Sequence, residues 1–85
     1  MADIILYTRD GCGYCARAKS LLDAKGADYV EHNASRTPAA RAEMIARSNG
    51  GTTFPQIFIN GQHIGGCDDL HALDRAGKLD PLLAA

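Results

Sequence analysis

Ile4-Ile5-Leu6-Tyr7-Thr8-Arg9-Asp10-Gly11-Cys12-Gly13-Tyr14-Cys15 is the stretch on which the fold turns. Ile4 to Thr8 is continuous and β-favouring, the pattern of a strand buried on both faces. Asp10 and Gly11 break it. The period then changes. Cys15, Ala18, Leu21 and Leu22 recur at helical spacing, while Arg17, Lys19 and Asp23 fall on the polar side. A helix is expected from about Gly13 to Lys25, with Gly26 ending it. A Cys-x-x-Cys pair therefore falls where a buried strand turns into a helix.

Downstream, Ala27 to His32 reads as a short strand, with Tyr29 on one face and Val30 on the other. Thr37-Pro38 is an N-cap followed by proline at the first helical position. The helix it opens runs through Ala42, Met44 and Ile45 and stops before Asn49-Gly50-Gly51. Gln56 to Ile59 is a strand, Asn60-Gly61 a hairpin turn and Gln62 to Ile64 the returning strand. Gly65-Gly66 connects to a last helix that starts near Cys67-Asp68-Asp69 and ends at Gly77. Leu79 to Leu83 is a terminal turn. The order is β-α-β-α-β-β-α. A strand–helix–strand unit with a right-handed crossover makes its strands parallel, and the hairpin adds an antiparallel pair. The fold class is α/β: a four-stranded mixed sheet with helices on both faces, the thioredoxin-like layout.

Eighty-five residues suit a single domain, residues 1–85, and an apolar fraction of 46% suits a folded chain. The net charge of −1 supplies no field for nucleic acid or an anionic membrane. The longest apolar run, Ile4 to Tyr7, is far too short to span a bilayer. Met-Ala-Asp opens the chain without a basic and apolar leader, so a cytoplasmic protein is expected, without membrane or nucleic-acid partners and as a monomer. The three cysteines, Cys12, Cys15 and Cys67, are an odd number and do not suit a secreted disulfide scaffold.

Two cysteines three apart in a first helical turn lie on one side, so their sulfurs can meet. The helix N-terminus carries about half a positive charge and unpaired N–H groups, which favour thiolate over thiol. Arg9 adds fixed positive charge. Cys12, at the mouth, is expected to be the nucleophile. Cys15, one turn in and on the apolar face, is expected to resolve. The same residues leave a metal reading open, in which Cys12, Cys15, Cys67 and His71 form a Cys₃His zinc set. A Cys-x-x-Cys between strand and helix points instead to thiol–disulfide exchange.

Four blocks carry a resemblance. Tyr7-Thr8-Arg9, Cys12-Gly13-Tyr14-Cys15, Thr52-Thr53-Phe54-Pro55-Gln56-Ile57-Phe58-Ile59 and Gly65-Gly66-Cys67-Asp68-Asp69-Leu70 strongly resemble glutaredoxins, in particular the small bacterial dithiol members of the glutaredoxin 3 type. The resemblance covers essentially the whole chain. It implies a glutathione-dependent oxidoreductase that reduces protein disulfides and protein–glutathione mixed disulfides through Cys12 and Cys15, with glutathione as electron donor. It implies that Arg9 helps hold a glutathione carboxylate and that Tyr14 packs beside the mixed disulfide. It implies a cis Pro55, with Thr53 and Phe54 offering a backbone edge to the peptide. Gly66 would let the N–H groups of Cys67 and Asp68 seat the γ-glutamyl carboxylate, and the Asp68 carboxylate would take the ammonium. One of Arg36, Arg41 and Arg47 is a candidate for the glycine carboxylate.

The chain departs from the family pattern in places. Gly13 replaces a common proline and frees an N–H near Cys12. Some members without that proline hold a [2Fe–2S] cluster between two subunits, ligated by the first cysteine and glutathione, so a cluster carrier using Cys12 is the alternative function. Phe54 replaces a smaller valine. Gly11 replaces a residue that is often Thr or Ser, removing a candidate N-cap side chain. Cys67 reads as a small buried residue, and His32, His63 and His71 read as surface or packing residues.

Overall fold

The computed structural model describes residues 2–84. The elements in chain order are β1 (Ile4–Thr8), α1 (Gly13–Ala24), β2 (Val30–Asn33), α2 (Pro38–Arg47), β3 (Gln56–Ile59), β4 (Gln62–Gly65), α3 (Cys67–Arg75) and α4 (Leu79–Ala84). The strands lie in the order β2-β1-β3-β4. β1 pairs parallel with β2 and antiparallel with β3, and β3 pairs antiparallel with β4. This is the mixed, thioredoxin-like sheet expected from the sequence, with its first strand in the interior.

Alternation along the central strands sorts the two faces. Ile4, Leu6, Ile57 and Ile59 point to one side and pack with Ala18 and Leu22 of α1, Cys67 and Leu70 of α3, and Leu79 of α4. Tyr7 and Phe58 point to the other and pack with Met44 of α2. Because both faces are covered, β3 is buried at all four positions, which is why its sequence reads as an unbroken apolar run after Gln56.

Two element boundaries differ from the sequence reading, and both differences have local causes. The second strand begins at Val30 rather than Ala27, because the residues before it still close α1. Gly26 sits at φ +68, its N–H donates to the Asp23 carbonyl, and the Ala27 N–H donates to the Leu22 carbonyl. This is a Schellman closure, and it uses the donor that strand pairing would need. The terminal segment is a six-residue helix, Leu79–Ala84, rather than a turn. Its Leu79 is fully buried against the aliphatic core. The Asn60-Gly61 hairpin is as expected, with φ of +53 and +80 at the two turn residues, the left-handed pair that a type I′ turn requires.

Candidate redox site

The β1–α1 junction positions Cys12. Gly11 takes φ +67, a backbone conformation that glycine adopts without strain. The turn brings Cys12 to the N-cap of α1, where its side chain performs the capping: Sγ accepts the Cys15 N–H at 3.2 Å. The helix therefore lacks no cap for want of a Thr or Ser at position 11, because the cysteine is the cap. A second contact, at 3.9 Å, runs from Cys12 Sγ to the Phe54 carbonyl. The Phe54–Pro55 peptide bond is cis.

Cys12 is partly exposed, whereas Cys15 is buried at 2% exposure. Burial pushes the Cys15 thiol up to about 11 from its ordinary 9.0. The hydrogen bond to Cys12 and the Cys12 charge push the same way, and the Arg9 backbone N–H partly offsets them. Cys15 is thus held as a thiol next to the partly exposed Cys12 sulfur. Burial also pushes the Cys67 thiol up. His71 Nδ1 lies 3.0 Å from the Cys67 carbonyl and 3.4 Å from its sulfur.

A groove of about 200 Å³, which Cys12 reaches through the Phe54 carbonyl, is lined by Tyr14, Thr53, Phe54, Gly66, Cys67, Asp68 and Asp69. Six of the eight residues expected at a glutathione site thus share one wall system, contributed by α1, the loop before β3 and the start of α3. Pro55 is buried beside them, and Gly66 lies 3.5 Å from its carbonyl, measured from where a Cβ would sit. Arg9 does not line that groove; it lines a second one of about 560 Å³ with Cys12, Gly13, Tyr14 and Arg17. The α3 N-terminus has Gly66 at its N-cap, so no side chain caps its first-turn N–H groups. Asp69 instead turns back and accepts the Gly66 N–H at 2.9 Å. Asp68 is exposed.

The geometry agrees with wider comparisons. The sequence model of the family described as Glutaredoxin matches residues 4–64. Glutaredoxin 3 of Escherichia coli K12 is 58% identical over 83 residues, covering 98% of this chain and 99% of that protein. The chain belongs to the glutaredoxin family. The solution structure of a Brucella melitensis glutaredoxin is 64% identical with a TM-score of 0.83, covering 98% of this chain and 89% of that one. The crystal structure of a buckwheat glutaredoxin–glutathione complex is 36% identical with a TM-score of 0.87, covering 98% of this chain and 77% of that one. Membership in the glutaredoxin family implies thiol–disulfide oxidoreductase activity.

Other sequence expectations find different places in this glutaredoxin. Arg36 pairs with Asp10 at 3.1 Å. Arg47 donates to the Tyr7 hydroxyl at 3.1 Å and lies 4.7 Å over the Phe58 ring. Neither lines the groove beside Asp68, and nor does Arg41. Among the described residues no three His, Cys, Asp or Glu side chains are grouped to hold a metal, so the Cys12, Cys15, Cys67 and His71 set does not assemble. His32 stacks on Tyr7 and His63 on Phe58. Phe54 turns its bulk partly into the Tyr7–Met44–Phe58 cluster, which is how the larger side chain is accommodated. No helix among the described residues is long and apolar enough to cross a membrane.

Sequence reasoning missed three participants. Asp10 anchors the loop before Cys12 to the segment after β2: its carboxylate accepts from Asn33 and Arg36, and its N–H donates to Ser35. Arg36 and Asn33 hold the Asp10 carboxyl below its usual range. Asp69 was passed over although its spacing from Gly66 is that of a capping box. Arg17 was assigned to a solvated face, although it stands three residues after Tyr14 and so shares its side of α1.

Proposed function

We propose that this chain is a glutathione-dependent thiol–disulfide oxidoreductase that reduces protein–glutathione mixed disulfides and protein disulfides. The observation that carries the reading is Cys12 Sγ at the α1 N-cap. The sulfur is partly exposed, it accepts a backbone N–H, and it contacts the carbonyl of Phe54, which lines a groove that also takes in an uncapped helix N-terminus.

In the first step the Cys12 thiolate attacks the glutathione sulfur of a mixed disulfide. The protein sulfur leaves with the electron pair and takes up a proton, and Cys12 carries glutathione. The thiolate of a second glutathione attacks the sulfur of the bound one. Glutathione disulfide departs and Cys12 returns as thiolate. The helix N-terminus and the Cys15 N–H stabilise negative charge on Sγ at the start and end of the cycle. The groove suits the bound tripeptide. The first-turn N–H groups of α3 at Cys67 and Asp68 take the γ-glutamyl carboxylate and the Asp68 carboxylate takes the ammonium. Thr53, Phe54 and Pro55 offer a backbone edge, Tyr14 covers the disulfide and Arg9 meets a second carboxylate.

With a protein disulfide, Cys12 attacks one sulfur and remains joined to the substrate. Cys15 then attacks Cys12, forming the Cys12–Cys15 bond and releasing the second substrate thiol. Two glutathione molecules restore the dithiol and leave as the disulfide. The charge on Cys12 is one reason the Cys15 thiol is held up near 11. Once Cys12 is in a mixed disulfide that charge is gone and the Cys15 proton is released more readily. Burial, the largest cause, still holds the thiol up at that stage.

The test is reduction of a glutathione mixed disulfide, coupled to glutathione reductase and NADPH, for the wild type, Cys12→Ser and Cys15→Ser, with an absorption spectrum of fresh protein. The reading requires that Cys12→Ser be inactive and that Cys15→Ser keep deglutathionylation while losing protein-disulfide reduction. Deglutathionylation by Cys12→Ser would overturn it. A [2Fe–2S] cluster needs four ligands, and this chain offers one accessible thiol, because Cys15 and Cys67 are buried. A coloured dimer that requires glutathione, with no turnover, would favour the carrier reading.

A further inference from the structure

The charges around Cys12 are divided between two walls. On the groove side assigned to glutathione, Asp69 holds the Gly66 N–H and Asp68 is exposed. On the other side the acids are already engaged: Asp10 pairs with Arg36, and Glu31 pairs with Lys19 at 3.1 Å. Arg9 and Arg17 are left with no ion pair among the described residues. These two arginines line one groove with Cys12, Gly13 and Tyr14, and that groove has no carboxylate in its lining. Tyr14, which lines the groove with them, is 56% exposed, the most of any large apolar side chain among the described residues. Two guanidinium groups without an ion pair among the described residues and a bare aromatic ring thus border the one accessible thiol, in a chain whose net charge is −1.

We propose that the Arg9–Tyr14–Arg17 groove receives the protein half of the substrate, and that it selects disulfides whose cysteine is flanked by acidic residues. This rests on the glutathione reading above, because it assigns the two halves of a mixed disulfide to the two walls. The glutathione moiety lies on the Asp68 side. The departing protein segment lies over Tyr14, with its carboxylates facing the arginines. Arg9 is shared, being also the partner of a glutathione carboxylate. Arg17 lines this groove and not the one assigned to glutathione, although its charge reaches Cys67, and it is the specificity-determining residue. Guanidinium suits the task because its planar donors pair with carboxylates and its face packs on tyrosine. Lys19 cannot substitute for it, being tied to Glu31. The interaction is solvent-exposed and acts on encounter and KM more than on the chemical step.

The experiment uses the full chain and three glutathionylated peptides that differ only at the residues two before and two after the cysteine: aspartate, asparagine or lysine. Deglutathionylation kcat/KM is measured for the wild type, Arg17→Gln and Arg17→Glu, at low salt and at about 1 M NaCl, where the screening length is about 3 Å. The readout is the aspartate-to-lysine ratio within each protein, so a general loss of activity cancels. The wild type should favour the aspartate peptide by about two- to fivefold at low salt, through KM, and the preference should collapse at high salt. Arg17→Gln should reduce the ratio, and Arg17→Glu should bring it to one or below. A wild-type ratio of one, or a ratio unchanged in Arg17→Glu, overturns this inference while leaving the glutathione reading intact. Failure of the wild type to reduce even the asparagine peptide overturns both.

Discussion

Two helix N-termini converge on Cys12, and they are finished in opposite ways. The first turn of α1 holds no acidic residue, and its cap is the Cys12 sulfur. The first turn of α3 carries Asp68 and Asp69, and its cap is Gly66, which has no side chain to offer. Each end presents about half a positive charge and a set of unpaired N–H groups. In α1 the chain supplies the acceptor itself, so the charge serves a covalent reaction. In α3 no side chain caps the donors, and the proposed function gives them to the carboxylate of glutathione. On that reading the same backbone device serves chemistry at one end and recognition at the other, and the choice rests on the side chain at one position in each.

The largest effect should come from separating capping from chemistry in α1. Serine is a good N-cap and a poor nucleophile at neutral pH. Cys12→Ser should therefore keep α1 intact, with thermal stability within about 1 kcal/mol of wild type, while turnover falls by about 10³-fold or more. A thermal melt and the coupled assay check the two halves separately. A large loss of stability would mean that the sulfur fits the cap in a way an oxygen cannot.

Next in size is the stability that the buried partner contributes. Folding raises the Cys15 thiol from about 9 to about 11. A group raised in the folded state gives its full contribution below its unfolded value and loses it as pH climbs through the folded one. Between pH 9 and 11 the unfolded chain gives up this proton while the folded chain keeps it, so stability should fall by roughly 2–3 kcal/mol across that window. Urea titrations of wild type and Cys15→Ala at pH 8 and 11 isolate the term, because tyrosines and lysines titrate in both proteins. Equal losses in the two would show that burial of Cys15 does not disfavour its charge.

A smaller loss is expected from crowding the α3 cap. Gly65 sits at φ +117, and a Cβ there would collide with the Asp69 carboxylate that accepts the Gly66 N–H. Gly65→Ala combines a strained backbone with a displaced Asp69 and should cost about 2 kcal/mol. In a domain of this size that lowers Tm by about 10 °C. If Tm does not move, the Gly65–Asp69 packing is loose.

How much of this was legible beforehand depends on whether the signal is local. Both ends of β1, the start of α1, the Asn60-Gly61 turn and the bounds of β3 are set by neighbours in sequence, and each falls where the pattern puts it. The start of β2 was not legible. Whether Ala27 joins a strand or closes α1 depends on which carbonyl takes its N–H, and Leu22 takes it. In the site, the Cys12–Cys15 pair and the groove from Tyr14 to Asp68 were readable as blocks. The arginines were not: Arg36 and Arg47 are committed to Asp10 and to Tyr7, partners 26 and 40 residues away. A free charge and a paired charge look the same in a sequence, and only the fold distinguished Arg17 from its neighbours.

The smallest effect bears most directly on the two helix ends. Gly66 has φ −100 and ψ −165, an extended conformation open to any residue, and a Cβ there would meet only the Pro55 carbonyl at 3.5 Å, an ordinary contact. Serine fits, and its hydroxyl would accept a first-turn N–H, giving α3 the kind of internal acceptor that α1 already has. Serine and glycine differ by only a few tenths of a kcal/mol as N-caps, so Tm should barely change. Binding should change more, because the hydroxyl competes for the donors assigned to the γ-glutamyl carboxylate. KM for a glutathione mixed disulfide should rise about three- to tenfold, the value of one charge-assisted hydrogen bond set against a neutral one. Gly66→Ala adds the same Cβ without an acceptor and should leave KM near wild type. A rise in the serine variant alone would mean that α3 binds the anion because its cap is empty. An equal rise in both would mean that glycine is there for room, and the contrast between the two helix ends would then be one of space rather than of hydrogen bonding.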